Sequence, residues 1–342
     1  MATCMRWLPM AALVFILIAS SPANALGAES FYRGNTIRFV VSSNPGGGFD
    51  LITRVIARHF PKHVPGQPRT LVVNMPGAGG VLANNYVYNV AKPDGLTIGF
   101  YNAGLILLDL IGTQAVEFDS RKFQWIGSAG SDAVICFARH DSGFKTMGDV
   151  IGSAKPLVVG SSGRGSNASV YPRAFNAVLK TNFKIVEGYP AAAQVRAAID
   201  RGEVDGQCVF WSAVKGTRPD WVPKGFVNVL LQAGVEKHRE FPNVPWIMDL
   251  VKNPEDRSFL ETLITPSSMA WPYVVSPGVP VDRVKLLREG FMKTMKDPAL
   301  RREAERAQQE ITPTSGEEVQ KLVEKVFASP PPVVARMAEL LK

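Results

Sequence analysis

Apolar positions along the chain alternate between two periods. Ile37 to Ser42 is a β-branched, apolar run, Pro45 to Gly48 make a turn, and Leu51, Ile52, Val55, Ile56 and Phe60 then recur at helical spacing. A strand followed by a helix is half of a βαβ unit. The order repeats with a strand from Thr70 to Val73, a turn from Pro76 to Gly80, a helix from Val81 to Val90, the turn Pro93-Asp94-Gly95 and a strand from Thr97 to Tyr101. A second series begins near Trp125. Its predicted strands are Ala133 to Ala138, Pro156 to Gly160, Phe183 to Val186, Val204 to Phe210 and Val227 to Leu231. Its helices run from the Ser161 to Ser166 turn through Leu179, and from Ala192 to Ile199. Alternating units of this kind predict an α/β fold with mainly parallel sheets flanked by helices.

Beyond a proline- and aromatic-rich loop, Phe241 to Trp246, comes a helix ending near Leu263, a strand from Trp271 to Val275 and a helical remainder. Asp297-Pro298 reads as an N-cap with proline at the first helical position, and Thr314 with Glu317 has capping-box spacing. These last helices have no strands of their own, so they are expected to pack back on the first lobe. The chain then crosses twice between lobes, the plan of a clamshell: residues 26–128 with 251–342 form one lobe and 129–250 the other.

The first 25 residues carry Arg6, an apolar run from Leu8 to Ala19, and Ala23-Asn24-Ala25. This is the pattern of a secretory signal peptide. The run is about a dozen residues, against the roughly 20 a membrane span needs. The roughly 317 residues that follow exceed what one core usually organises. Of the 38 Lys and Arg residues only Arg6 leaves with the leader, so 37 basic residues face 30 acidic ones, +7. The bases are scattered and not arranged in a stripe with aromatics, which argues against nucleic acid. Cys4 also leaves with the leader. Cys136 and Cys208, each in an apolar strand-like run, either form one disulfide or remain as two buried thiols.

Three turns rich in glycine or serine each follow a strand and open a helix: Gly46-Gly47-Gly48-Phe49, Gly77-Ala78-Gly79-Gly80, and Ser161-Ser162-Gly163-Arg164-Gly165-Ser166-Asn167. Helix N-termini carry unpaired N–H groups and partial positive charge, and glycine lets a ligand approach the backbone, so the set suits an anion. Asp50 reads as a helix N-cap. Arg164 reads equally as an anion contact or as a solvated loop residue. No Gly-Lys-Ser/Thr loop, dinucleotide fingerprint or Gly-x-Ser-x-Gly elbow occurs, and no cofactor is implied. Pro61 separates His59 from His63, so these read as surface histidines and no metal site is expected.

At these residues the chain resembles the extracytoplasmic receptors of tripartite tricarboxylate transporters, the Bug receptors. The resemblance rests on Ile37-Arg38-Phe39-Val40-Val41 leading to Pro-Gly-Gly-Gly-x-Asp, on Asn74-Met75-Pro76-Gly77-Ala78-Gly79-Gly80, on Pro93-Asp94-Gly95, on Gly188-Tyr189-Pro190 and on Arg201 to Gly206. It implies a two-lobed periplasmic-binding-protein fold, type II-like, located in the periplasm. It also implies a small organic carboxylate held by the first-lobe turns and the serine-rich turn, and delivery to membrane permease subunits. Tyr189, Asp205 and the segment after it, including Trp211, are expected to face the cleft. Phe49 and Trp211 suit either an aromatic-lined pocket or core packing. A monomer with no catalytic residues is expected. A sensor with the same binding chemistry is the alternative, and a secreted hydrolase is a third reading that lacks a visible nucleophile and base.

Overall fold

The computed structural model describes residues 30–341, so the signal-peptide reading of residues 1–25 lies outside the described residues. Eleven strands form two sheets among these residues. The first contains β1 (Thr36–Val41), β2 (Arg69–Asn74), β3 (Thr97–Phe100), β4 (Gln124–Ser128), β10 (Pro272–Val275) and the short β11 (Thr314–Ser315), in the order β11-β4-β10-β3-β1-β2. The second contains β5 (Val134–Arg139), β6 (Leu157–Gly160), β7 (Phe183–Val186), β8 (Gly206–Phe210) and β9 (Val227–Ala233), in the order β7-β6-β8-β5-β9. The α-helices up to the end of the second sheet are α1 (Gly48–His59), α2 (Val81–Asn89), α3 (Leu105–Leu110), α4 (Asn167–Leu179), α5 (Ala192–Asp200) and α6 (Trp211–Lys215). After it come α7 (Ile247–Leu250), α8 (Pro254–Ile264), α9 (Val281–Lys296), α10 (Pro298–Arg306), α11 (Gly316–Phe327) and α12 (Pro331–Leu341).

Most strands of each sheet run the same way, as the alternating pattern leads one to expect, and each sheet is mixed because β10 and β11 in the first and β5 in the second run against the rest. β1 runs parallel to β2 and β3, but β10 is antiparallel to β3 and β4, and β11 is antiparallel to β4. In the second sheet β6 is parallel to β7 and β8, whereas β5 is antiparallel to β8 and β9. The cause is the double crossing. The chain leaves the first sheet after β4 and enters the second at β5, then returns after β9 to enter the first at β10. A strand that enters at an edge must oppose the strands that end there. Consequently the carboxyl ends of β1 to β4 and of β6 to β9 all lie at the crossover edges, together with the starts of β5 and β10.

Both faces of each sheet are covered, as the apolar runs require. In β1, Ile37 and Phe39 pack with Ile52, Val55 and Ile56 of α1 and Phe291 of α9, while Val40 faces a different cluster containing Val87, Trp125 and Val319. In β5, Ile135 and Phe137 pack beneath α5, while Val134, Cys136 and Ala138 join the same cluster as Val40. That shared cluster runs from one sheet to the other through α4 and α8, where Tyr171 Oη donates to the Leu263 carbonyl at 3.4 Å. The late helices α9 and α11 pack on β4, and α12 packs on α8 and also on α4 beside the second sheet.

Local details bear on three further readings and adjust two of them. Asp297 caps α10, its side chain accepting from Ala299 N, as its sequence suggests. The capping box lies one residue later than read, on Ser315 and Glu318: Ser315 is the last residue of β11 and the one directly before α11, so its side chain meets the Glu318 N–H. His59 is 8% exposed, which overturns the surface reading for it. Its Nε2 lies 2.8 Å from Glu303, and His63 Nε2 lies 3.1 Å from Asp297, so both rings tie the end of α1 to α10.

Candidate functional site

At the carboxyl end of β1 the chain turns and starts α1 at Gly48. Gly46 has φ +80°, a conformation that disfavours a side chain. Asp50 is not the N-cap; Gly47 holds that place without a side-chain bond. The buried Asp50 carboxylate reaches back to accept from Gly46 N at 2.8 Å, from Arg54 Nε at 2.9 Å and from Asn74 Nδ2 at 2.9 Å. Asn74, ending β2, also donates to the Ser43 carbonyl. Burial by itself would raise the Asp50 pKa, but the bonds from Arg54, Gly46 and Asn74 outweigh it and hold the group at about 2. Its negative charge is thus compensated, and it takes the Gly46 N–H out of play. The N–H groups of Gly48 and Phe49, the first two of α1, have no intrahelical acceptor. The Phe49 ring stacks on Phe100 with centroids 4.5 Å apart, so its side chain packs against the core.

The second turn passes through Ala78 (φ +46°), Gly79 (+65°) and Gly80 (+106°) before α2. A Cβ on Gly80 would stand 3.1 Å from Ser42 Cβ and 3.4 Å from Asn102 Cβ. Asn102, just past β3, donates to the Gly79 carbonyl at 2.8 Å. The ends of β1, β2 and β3 therefore meet around Ser42 and Gly80. Ser42 is 8% exposed and its Oγ has no hydrogen-bond partner. Such a group is costly unless something completes it. The sequence reading missed Ser42, because a serine closing an apolar strand is indistinguishable from a strand terminator.

The third turn lies at the carboxyl end of β6. Ser161 is buried, Ser162 and Arg164 are exposed, and Ser166 precedes Asn167, the first residue of α4. Ser161 Oγ lies 2.7 Å from Ser166 Oγ, and Gly163 N donates to Ser161 Oγ at 3.2 Å. Tyr189 packs on the second core, its N–H donating to the Ser161 carbonyl at 3.3 Å. Tyr189 thus accompanies the serine turn. Among the described residues no hydrogen bond joins this turn to the first two; what they share is the crossover edge.

Asp205 is placed at the opposite end of its strand, and Trp211, though at the crossover edge, stands apart from the three turns. Asp205 stands at the start of β8, where its carboxylate accepts from Val158 N at 3.0 Å, at the far end of β6 from the serine turn. Trp211, starting α6, is buried edge-to-face on Phe241. It lines a cavity of about 590 Å³ at the junction of the sheets, with Asp132, Lys215, Arg239, Trp271 and Glu310. No residue of the three turns lines that cavity. Arg239 and Glu310 form an ion pair of 2.6 Å at its margin. Burial pushes the Asp132 carboxyl up to about 6 despite bonds from Ser212 and Ala133. Cys136 and Cys208, directly paired across β5 and β8, form a disulfide. Among the described residues no group of three or more His, Cys, Asp or Glu side chains is placed to hold a metal ion, and no helix is long and apolar enough to cross a membrane.

Comparison with known proteins identifies the fold. A crystal structure of a TctC solute binding protein from Polaromonas superposes with a TM-score of 0.70 at 21% identity, covering 89% of this chain and 99% of that one. MatC from Rhodopseudomonas palustris with bound malate gives 0.62 at 20% identity, over 90% and 99%. A further R. palustris protein, with adipate, gives 0.65 at 18% identity, over 89% and 97%. The two-lobed α/β fold is that of periplasmic binding proteins. The family model described as tripartite tricarboxylate transporter family receptor, TctC, matches residues 52–337, and the chain belongs to this family of periplasmic solute-binding receptors.

Proposed function

We propose that this chain is exported to the periplasm, captures a small organic carboxylate between its two lobes and passes it unchanged to the membrane permease of a tripartite transporter. The observation that carries the reading is the unpartnered, buried Ser42 Oγ, set where the turns after β1, β2 and β3 meet. In the turns after β1 and β2 the N–H groups of Gly48, Phe49, Ala78 and Gly79 have no protein acceptor, and the Asp50 charge is already compensated by Arg54. One carboxylate of the solute takes these donors. Hydrogen bonds to a charged group contribute about 1.5–3 kcal/mol each, so a few suffice for micromolar binding, which needs about 8 kcal/mol. Of the described residues, the lobes are 30–128 with 251–341, and 129–250. Hinge rotation at the crossovers brings the Ser161–Asn167 turn and Tyr189 over the solute. Malate and adipate, bound by the two R. palustris proteins of like fold, are solutes of the expected size and charge.

Gly47 provides the test. It has φ −73°, and a Cβ there would meet its nearest neighbour, the Asn44 carbonyl, at 3.4 Å, so a side chain is tolerated by the fold. Gly47→Leu is expected to keep the melting temperature of the solute-free protein and to abolish its rise with carboxylates. An unchanged rise refutes the site. Recovery of intact solute after calorimetry supports a receptor, and turnover of the solute refutes it.

A further inference from the structure

Helix α5 covers one face of the second sheet through Val195, Ala198 and Ile199, which pack in one cluster with Ile135 and Phe137 of β5. Arg196, beside Val195, is covered with them and is only 5% exposed. Its Nε and Nη1 are buried without a hydrogen-bond partner, and among the described residues its guanidinium makes no ion pair. Arginine keeps its proton in proteins, so neutralisation cannot relieve the burial. An arginine covered to this extent ordinarily has a counter-charge beside it.

The acids of this part of the chain are engaged elsewhere. Asp200, one turn further along α5, accepts from Arg218 Nη2 at 2.8 Å and from Arg218 Nε at 3.2 Å. Glu203 pairs with Arg201, Asp220 pairs with Lys224, and Asp205 accepts from Val158 N. Burial disfavours the charged form of Arg196, and so does Arg218, which among the described residues is the one charged group close enough to act on it. Two guanidinium groups thus share the single carboxylate of Asp200, and one positive charge is left over. Gln207 of β8 also keeps a buried, unpartnered Oε1, but an amide oxygen, like water, answers a hydrogen bond and not a charge.

We propose that the second lobe holds a small inorganic anion of halide size, chloride in ordinary salt solution, against the Arg196 guanidinium and within the field of Arg218. The near-complete cover over Arg196 admits an ion and leaves no room for an organic molecule. The site lies in the middle of α5, and no residue of the three turns takes part in it, so it is separate from the carboxylate site and does not depend on that reading. The ion cancels the surplus charge and so stabilises the packing of α5 on its sheet.

The test compares the melting temperatures of the exported form of the protein, its Arg196→Met variant and its Gly47→Leu variant at pH 7 as sodium chloride is raised. Methionine keeps the apolar stem and removes the charge, and apolar replacement of a buried charge is well tolerated. A ligand that binds only the folded state raises its melting temperature as concentration rises. From about 10 to about 300 mM chloride, the natural protein and Gly47→Leu are therefore expected to gain roughly 2 °C more than Arg196→Met. Because Gly47→Leu has its carboxylate site blocked, a gain there does not come from chloride in the cleft. Crystals grown in sodium bromide give an independent readout, an anomalous peak within hydrogen-bond reach of the Arg196 guanidinium. Equal gains in the natural protein and Arg196→Met overturn the proposal, as does a gain that is lost in Gly47→Leu. A bromide map with no peak at Arg196 also overturns it, and that map decides alone where Arg196→Met does not fold.

Discussion

Replacing Cys136 and Cys208 together by alanine is expected to destabilise the protein by about 4 kcal/mol, the loop-closure value for a bridge spanning 72 residues at 25 °C. The two residues sit directly opposite each other on β5 and β8, with Cα atoms 4.0 Å apart, and both are buried. In the native state the pairing of these strands is already fixed by the ladder and by the clusters on both faces, so the bridge acts mainly by restricting the unfolded chain. A change of 4 kcal/mol is about three decades in the folding equilibrium. Urea titration read by tryptophan fluorescence measures it, since Trp211 and Trp221 are buried in the core that includes Ile135 and Phe137 of β5. The midpoint should fall, and the slope should rise, because the unbridged unfolded chain is less compact and exposes more surface. Intact mass with and without reductant checks the premise, because the bridge makes the unreduced chain two hydrogens lighter. A loss below about 1 kcal/mol in an oxidised protein would refute the loop-closure reasoning. An identical mass in both conditions would refute the bridge.

The remaining predictions concern buried carboxylates. Asp50 has its pKa lowered to about 2, so the stability it contributes is present above its ordinary value near 3.8 and is lost as pH falls toward 2. Melting curves across that window should steepen for the natural protein and flatten for Asp50→Asn, and equal slopes would count against the role given to the Arg54 and Asn74 bonds. Asp132 behaves with the opposite sign, since its pKa is raised to about 6. Its ionisation costs stability as pH rises from about 4 to 6, after which the cost is constant. Asp132→Asn is therefore expected to melt higher than the natural protein at pH 7 and to lose that advantage near pH 4, and an equal or lower melting temperature at pH 7 would contradict the burial argument.

Much of the fold was legible in the sequence because local burial period determines element type. β7 matches its predicted limits, Phe183 to Val186, and the other strands given a range differ by one or two residues at their ends, while β4 and β11 were not assigned as strands. The three turns also stand where strand-to-helix spacing puts them, and the Bug-receptor resemblance, read from those motifs, agrees with the family match. The reversed direction of β5 and β10 was not legible. Alternating apolar runs look alike whether a strand leaves the crossover edge or enters it, and only the double passage of the chain reverses β5 and β10.

The site divides in the same way. Sequence by itself determined which backbone segments are rich in glycine and begin helices, because those properties belong to consecutive residues. Tertiary structure decided what surrounds them. It set Gly80 against Ser42, paired Asp50 with Asn74, joined Cys136 to Cys208, placed Glu187 beside Ser169 and put Asp205 at the far end of its strand. Each of these is a contact between residues distant in sequence or a consequence of strand direction, and no local pattern of polarity encodes which distant residue completes a buried hydrogen bond or answers a charge.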